Sequence, residues 1–324
     1  MKPAKVATVG EALTVLVPVA PGPLDDADVF SRGIGGAELN VAVGLASRGI
    51  PTALLTRVGG DGFGRHVVAE TARQGVDVSA IEVDAHRRTG LYIKEVGSGS
   101  GAPFDLEAGA SRMLYYRSES AGSRLSPAYL ERPAVRAALD GATLIHLTGI
   151  TPALSAGAHD LCLALTERRA DDCLLSFDVN WRPALWFGRE AEGIAALTDL
   201  ASRADVVLLG ASEATTLFGT ADPDAVRSRL AEPRILVLKN DANAAIAFDG
   251  SSRVEVPAHS VDVVEAIGAG DAFAAGFLAA LVSGADVREC LVQAHRLAVV
   301  ALSSRGDHVG SLVPDPPRLI HPVA

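Results

Sequence analysis

Short apolar runs alternate with alanine-rich stretches of helical period along most of this chain, and that alternation limits the fold more than any other feature. Apolar runs of strand length lie at 6–10, 53–58, 143–148, 174–178, 206–209, 235–239 and 244–248. Helical stretches lie at 37–48, 64–74, 153–169, 190–201, 211–218, 225–230, 271–283 and 286–303. A strand that returns to its sheet through a helix pairs in parallel, and a parallel sheet needs helices on both faces. The pattern predicts an α/β fold of three layers with a mainly parallel central sheet.

Two stretches break the alternation. Residues 13–30 are strand-like and punctuated by Pro and Asp, and 90–117 reads as two strands around a long Gly/Ser loop at 97–112. Strands without crossover helices predict a small antiparallel sheet standing off the core. Drawn from about 11–34 and 88–118, it would form a lid over the sheet's carboxyl edge, where open α/β folds bind ligands. No internal repeat or second full domain is evident, so 1–324 reads as one domain. Lid strands present edges and an apolar face, which predicts a homo-oligomer formed through paired lids.

Charge and cysteine usage exclude several function classes. The net charge is −10 with Lys and Arg scattered, a surface that repels phosphate backbones, so nucleic acid is not an expected partner. Cys162, Cys173 and Cys290 show no metal-site spacing, and an odd count fits a reducing compartment. The chain enters a strand almost at once with no signal-peptide pattern, and no apolar run reaches the ~20 residues of a membrane span. A cytoplasmic protein without membrane contact is expected.

The strongest local signal is Gly268-Ala269-Gly270-Asp271, where a strand-like run ends in a Gly-rich turn and an apolar helix begins at Asp271. Two glycines let the backbone turn and a ligand approach, and free amides at a helix N-terminus bind an anion. A carboxylate beside that pocket repels a resting phosphate but can accept a proton from an attacking hydroxyl. At an ordinary pKa of about 3.9, Asp271 is ionised and available as a base at neutral pH. Helix capping uses the same residue types, so the segment alone leaves both readings open.

A second Gly-rich junction, Gly33-Ile34-Gly35-Gly36-Ala37-Glu38-Leu39-Asn40, leads into another helix. Asn40 lies one turn in on an apolar face and needs a hydrogen-bond partner there. Tyr92, Tyr115 and Arg117 fall on the two lid strands, and Arg182 follows a core strand at its carboxyl end. Two arginines converging with tyrosine hydroxyls describe a site for a sugar acid. A surface ion pair is the alternative for either arginine.

The segments GIGGAELNVAVGLASRG and EAIGAGDAFAAGF resemble the two signature motifs of the ribokinase-like (PfkB) carbohydrate kinases, in the same order and separation. TGLYIKE, YYRSESAGSRLSP, HLTGITPALS and FDVNWRPALW are similar, more narrowly, to the 2-keto-3-deoxygluconate kinases. The resemblance runs from about residue 6 to 310 and implies a ribokinase-like fold that uses ATP with Mg²⁺. It implies Asp271 as base, an anion hole from Gly268, Ala269 and Gly270, and an acceptor site of Gly35, Gly36, Asn40, Tyr92, Tyr115, Arg117, Ile150 and Arg182. Ser212, Lys239, Gly268 and Gly270 would meet the nucleotide, and Glu213 would support the metal. Three departures stand out: Gly210 replaces the Asn of the family's Asn-x-x-Glu motif, Glu265-Ala266 replaces Asp-Thr, and the loop after Lys239 lacks the usual glycines. A kinase for a neutral sugar and a non-catalytic sugar-binding protein are the competing expectations. A dinucleotide-dependent oxidoreductase would want G-x-G-x-x-G directly after the first strand, and Val9-Gly10-Glu11-Ala12 offers none.

Overall fold

The structure, a computed structural model, describes residues 4–303 apart from 241, 242, 262 and 265. In chain order the first half holds β1 (Val6–Val9), β2 (Leu13–Pro18), β3 (Phe30–Gly35), α1 (Ala37–Ser47), β4 (Thr52–Leu55) and β5 (Arg57–Gly59). Then come α2 (Gly62–Arg73), β6 (Glu82–Asp84), β7 (Leu91–Val96), β8 (Ser111–Tyr116), α3 (Pro133–Asp140), β9 (Leu144–Thr148) and α4 (Ala156–Arg168). The second half holds β10 (Leu174–Asp178), α5 (Glu190–Ser202), β11 (Val206–Gly210), α6 (Ala211–Phe218) and α7 (Pro223–Arg229). It ends with β12 (Ile235–Asn240), β13 (Ala244–Asp249), β14 (Ser252–Pro257), α8 (Ala269–Val282) and α9 (Val287–Leu302).

Eight strands form the central sheet in the order β14-β13-β12-β11-β10-β9-β1-β4. From β12 to β4 all pairs are parallel, and β13 and β14 close one edge as antiparallel strands. The parallel strands are buried on both faces, which is why they read as continuous apolar runs. Helices α3–α7 pack on one face. On the other face lie α1, α8 and α9. The three-layer expectation holds.

Strands β3-β2-β7-β8 form the lid. It is mixed and not antiparallel as expected, because β2 and β7 pair in parallel. Both strands leave the core at the same edge, after Glu11 and Gly90, and so run the same way. A second correction concerns the approach to the Gly-rich turn. The described part of 261–267 forms no strand, and Val263 and Val264 are exposed. The Val264 amide instead donates to the Leu302 carbonyl at the end of α9, at 2.8 Å, so that bond goes to a helix end and not to a strand. Glu265 lies outside the described residues, as do Asp241 and Ala242 of the loop after Lys239 and the end of the resemblance beyond 303.

Helices α1 and α8 touch at a small-residue contact. A Cβ added to Gly44 would lie 2.5 Å from the Ala275 Cβ. Both helices begin at the sheet's carboxyl edge, beneath the lid, so their N-terminal turns form the floor of a shared cleft.

Candidate active site

One turn before the Gly44–Ala275 contact, Asn40 on α1 meets Asp271 on α8. The Asn40 Nδ2–H donates to Asp271 Oδ2 at 2.8 Å. Helix α8 begins at Ala269, two residues before its expected start, with Gly268 as a left-handed cap at φ 78°. Asp271 therefore sits in the first turn, beside amides that no intrahelical bond can satisfy. A Cβ on Gly270 would meet nothing within 4 Å, so its side faces open space.

The environment of Asp271 corrects its expected titration. Burial pushes its carboxyl up to about 7. The Asn40 amide and Arg182 favour the ionised form, while the facing carboxylates of Asp178 and Glu38 oppose it. An exposed Asp would be fully ionised at neutral pH; this one is poised within the physiological range.

The parallel register builds the rest of the floor. Thr148 and Asp178 pair across β9 and β10, and Gly210 and Lys239 pair across β11 and β12. Side chains two apart on a strand share a face, so this polar row points toward α1 and α8. Lys239 Nζ donates to both Asp178 oxygens, at 2.9 and 3.1 Å. Burial disfavours the Lys239 ammonium, but Asp178, Glu213 and Asp271 outweigh it and hold its pKa above the ordinary value. Glu213 accepts from the Trp181 amide at 2.9 Å and the Gly210 amide at 2.6 Å. Burial raises the Glu213 pKa and Lys239 opposes the rise.

Glu38 ties α1 to the end of β9. Its Oε1 accepts from the Thr148 and Thr151 hydroxyls, each at 2.7 Å. Its Oε2 is buried with no hydrogen-bond partner among the described residues. Burial lifts the Glu38 pKa above its ordinary value, against those two hydroxyls. Ile150 follows Thr148 on the same rim and is partly buried.

The lid supplies the roof. Tyr92 and Tyr115 pair across β7 and β8 with ring centroids 5.2 Å apart. Tyr92 is buried over Gly35, where a Cβ would lie 2.6 Å from its hydroxyl. At Gly36 (φ 133°) a Cβ would lie 2.3 Å from the Glu11 carbonyl oxygen. Both positions exclude side chains. The Arg117 guanidinium lies 5.5 Å from the Tyr115 ring centre and forms an ion pair with Glu11. Arg182 is exposed at the cleft, after Asn180, which holds a left-handed φ of 40°. Ser212 is exposed in the first turn of α6.

Residues 3–313 match the pfkB family carbohydrate kinase. The chain belongs to the pfkB family.

It is 34% identical to 2-dehydro-3-deoxygluconokinase of Thermoproteus tenax over 301 residues, 92% of this chain and 88% of that protein. It is 30% identical to 2-dehydro-3-deoxygluconokinase of Bacillus subtilis (strain 168) over 308 residues, 94% of this chain and 91% of that protein. Among solved structures, the PfkB protein from Polaromonas sp. JS666 superposes with a TM-score of 0.82 at 32% identity, covering 92% of this chain and 95% of that one. This pfkB chain is a carbohydrate kinase with the ribokinase-like α/β fold.

In this pfkB chain Asn40 meets Asp271, Tyr92 and Tyr115 pair beside Gly35, Arg117 is held by Glu11 against the Tyr115 ring, and Arg182 acts on Asp271 from an exposed position, with Ile150 after Thr148. Lys239 acts electrostatically on both Glu213 and Asp271, and Ser212 precedes Glu213 in the first turn of α6. The sequence reading missed Glu11, Glu38, Thr148 and Asp178. A usable signal existed for Asp178 and Thr148, which end parallel core strands where α/β folds place ligands. A separate groove of 1360 Å³ lies against the opposite face of the lid, lined by Leu16, Leu91, Ile93 and Tyr116 with Arg87 and Arg88. It contains neither Asp271 nor Asn40 and is not the candidate active site.

Proposed function

We propose that this kinase transfers the γ-phosphoryl group of ATP to the 6-hydroxyl of a small sugar acid, 2-keto-3-deoxygluconate, with Asp271 as general base. The observation that carries the reading is the placement of an Asn40-bound carboxylate in the first turn of α8, beside a lid bearing tyrosines and arginines. The acceptor oxygen forms a bond to the γ-phosphorus, its proton passes to Asp271, and the bond to the departing ADP breaks. The amides of Gly268, Ala269 and Gly270 stabilise charge on the transferring group without reorganising. Arg182 and Arg117 hold the substrate carboxylate, and Tyr92 and Tyr115 cover the chain of hydroxyls. Ser212 and Lys239 flank the nucleotide, and the lid excludes water that would hydrolyse ATP.

The donor set fits a magnesium ion of one kind. Among the described residues no group of three or more His, Cys, Asp or Glu side chains converges as a metal cage. Mg²⁺ keeps several waters and binds through one or two carboxylates plus phosphates, which suits Glu213 and Asp178. Bound there, it would neutralise charge on the nucleotide phosphates. Gly210 in place of Asn leaves its amide to orient Glu213 instead of a side chain.

Measuring ADP release with a panel of sugars and sugar acids tests the reading. Turnover with 2-keto-3-deoxygluconate well above that with fructose or ribose is expected; the reverse order, or no turnover, refutes it. One observation favours a neutral acceptor: Glu11 already neutralises Arg117. Pairing of two lids across their outer faces is the oligomer we propose, and a monomer in sedimentation would refute it.

No helix among the described residues is long and apolar enough to cross a membrane.

A further inference from the structure

Four chain segments cross between core and lid, and all four meet at one residue, Glu11, three of them through its buried side chain and one at its backbone carbonyl. The first crossing is Glu11 itself, between β1 and β2. The second is the return through Gly36 into α1, where a Cβ would lie 2.3 Å from the Glu11 carbonyl oxygen. The third is Gly90 before β7, where a Cβ would lie 3.0 Å from Glu11 Oε1 and 3.3 Å from the Arg117 Cβ. The fourth is the return after β8, where Arg117 pairs with Glu11 and the Ser120 hydroxyl donates to Glu11 Oε1. A third glycine-sized space completes the enclosure: a Cβ on Gly122 would lie 2.4 Å from the Glu11 Cγ.

Glu11 is 2% exposed. Burying a carboxylate is costly unless it is paired and hydrogen-bonded; here Oε1 accepts from the Ser120 hydroxyl, and Oε2, which has no hydrogen-bond partner among the described residues, faces Arg117 in an ion pair. The same contact leaves Arg117 with a buried Nε–H that has no partner among the described residues. Its guanidinium is thus held from one side while it lies over the Tyr115 ring. Such an arrangement fixes where Arg117 can reach and how the lid sits on the core.

We propose that Glu11 is the pivot on which the lid hangs, a positioning residue that sets lid closure and the placement of Arg117 at the acceptor site. Its consequence for Arg117 rests on the acceptor reading above; its consequence for the lid does not. The core sheet is packed by its own helices on both faces and does not depend on this contact. Loss of the Glu11 charge therefore loosens the lid selectively.

The test uses the full-length protein with Glu11→Gln, which removes the charge and keeps the shape, and Ser120→Ala, which removes one hydrogen bond. Amide hydrogen exchange is followed on the lid strands β2, β7 and β8 and on the core strands β9 and β10. Glu11→Gln should speed exchange on the lid strands about tenfold or more while the core strands stay protected, with a smaller lid-only effect for Ser120→Ala. Unchanged lid exchange overturns the proposal, as does acceleration shared equally by lid and core, the signature of general destabilisation. With whichever acceptor the wild type phosphorylates, Glu11→Gln should also release more ADP per phosphorylated product, because a loosened lid admits water. An unchanged ratio overturns the closure role even if the sugar-acid assignment is right; failure of the sugar-acid assignment changes the preferred acceptor and leaves the exchange result standing.

Discussion

The Asn40 amide lies 2.8 Å from Asp271 Oδ2, joining two residues 231 positions apart in the chain. Each stands one helical turn from the Gly44–Ala275 contact, so the close approach of α1 and α8 positions the base. Asn40 donates to the carboxylate and favours its ionised form; burial and the carboxylates of Asp178 and Glu38 resist ionisation.

That balance sets a pH dependence. With the Asp271 pKa pushed up to about 7, the free enzyme loses its base as pH falls through that value. Below it kcat/KM for the acceptor should drop about tenfold per unit. Asn40→Ala removes a group that favours the anion, so the acidic limb should move to higher pH. Asp178→Asn removes a facing negative charge, so the limb should move lower. Initial rates of both variants across pH 5–9 would check the two signs together, about the ordinary range in which a perturbed carboxyl titrates.

Replacing Asp271 by Asn keeps the shape and removes proton acceptance. General-base loss commonly costs about 10²–10⁴-fold in rate, and that loss should fall on kcat with little change in acceptor KM. Steady-state kinetics of Asp271→Asn decides it. Near-normal turnover would take the base role from Asp271.

Gly44→Ala tests the helix contact that positions the pair. Alanine in a helix interior ordinarily gains about 0.5–1 kcal/mol over glycine. Here its Cβ would sit 2.5 Å from the Ala275 Cβ, so the helices must part. Overpacking of this kind costs roughly 1–3 kcal/mol. Urea unfolding should show a net loss of stability, with a drop in kcat as Asn40 withdraws from Asp271.

Lys239→Met leaves Asp178 buried without its cation. Breaking a buried pair costs roughly 3–5 kcal/mol; Lys239 keeps some solvent access, so the lower end is expected. The same change removes a positive charge near Asp271, moving its acidic limb to higher pH and raising the KM for ATP. Denaturant melts and pH–rate profiles read the two effects separately.

Arg182 and Arg117 differ in freedom, the first exposed and the second held by Glu11. Arg182→Ala and Arg117→Ala should each raise KM for a sugar acid far more than for a neutral ketose. Equal losses on both substrate classes, measured side by side, would refute carboxylate recognition.

The α/β layers were legible because strands buried on both faces must be apolar throughout, and helices between them carry their own period. Asp271 and Asn40 were legible because each follows a Gly-rich turn into a helix, a local arrangement that residue type alone reveals. The run before Gly268 misled, since a strand-like segment forms a strand only when another strand pairs with it, and here the Val264 amide bonds to the end of α9. The lid's parallel β2–β7 pair was hidden for the same reason: direction depends on where each strand leaves the core.

The sequence by itself determined the family motifs, the layer pattern and which side chains could act as acid, base or cation. Tertiary structure alone decided that Asn40 would meet Asp271, that Lys239 would pair with Asp178 across 61 residues, and that Glu11 would gather the lid. The reason is physical. A residue's type is local, but its charge state and reach depend on burial and on neighbours that only folding brings within a few ångströms.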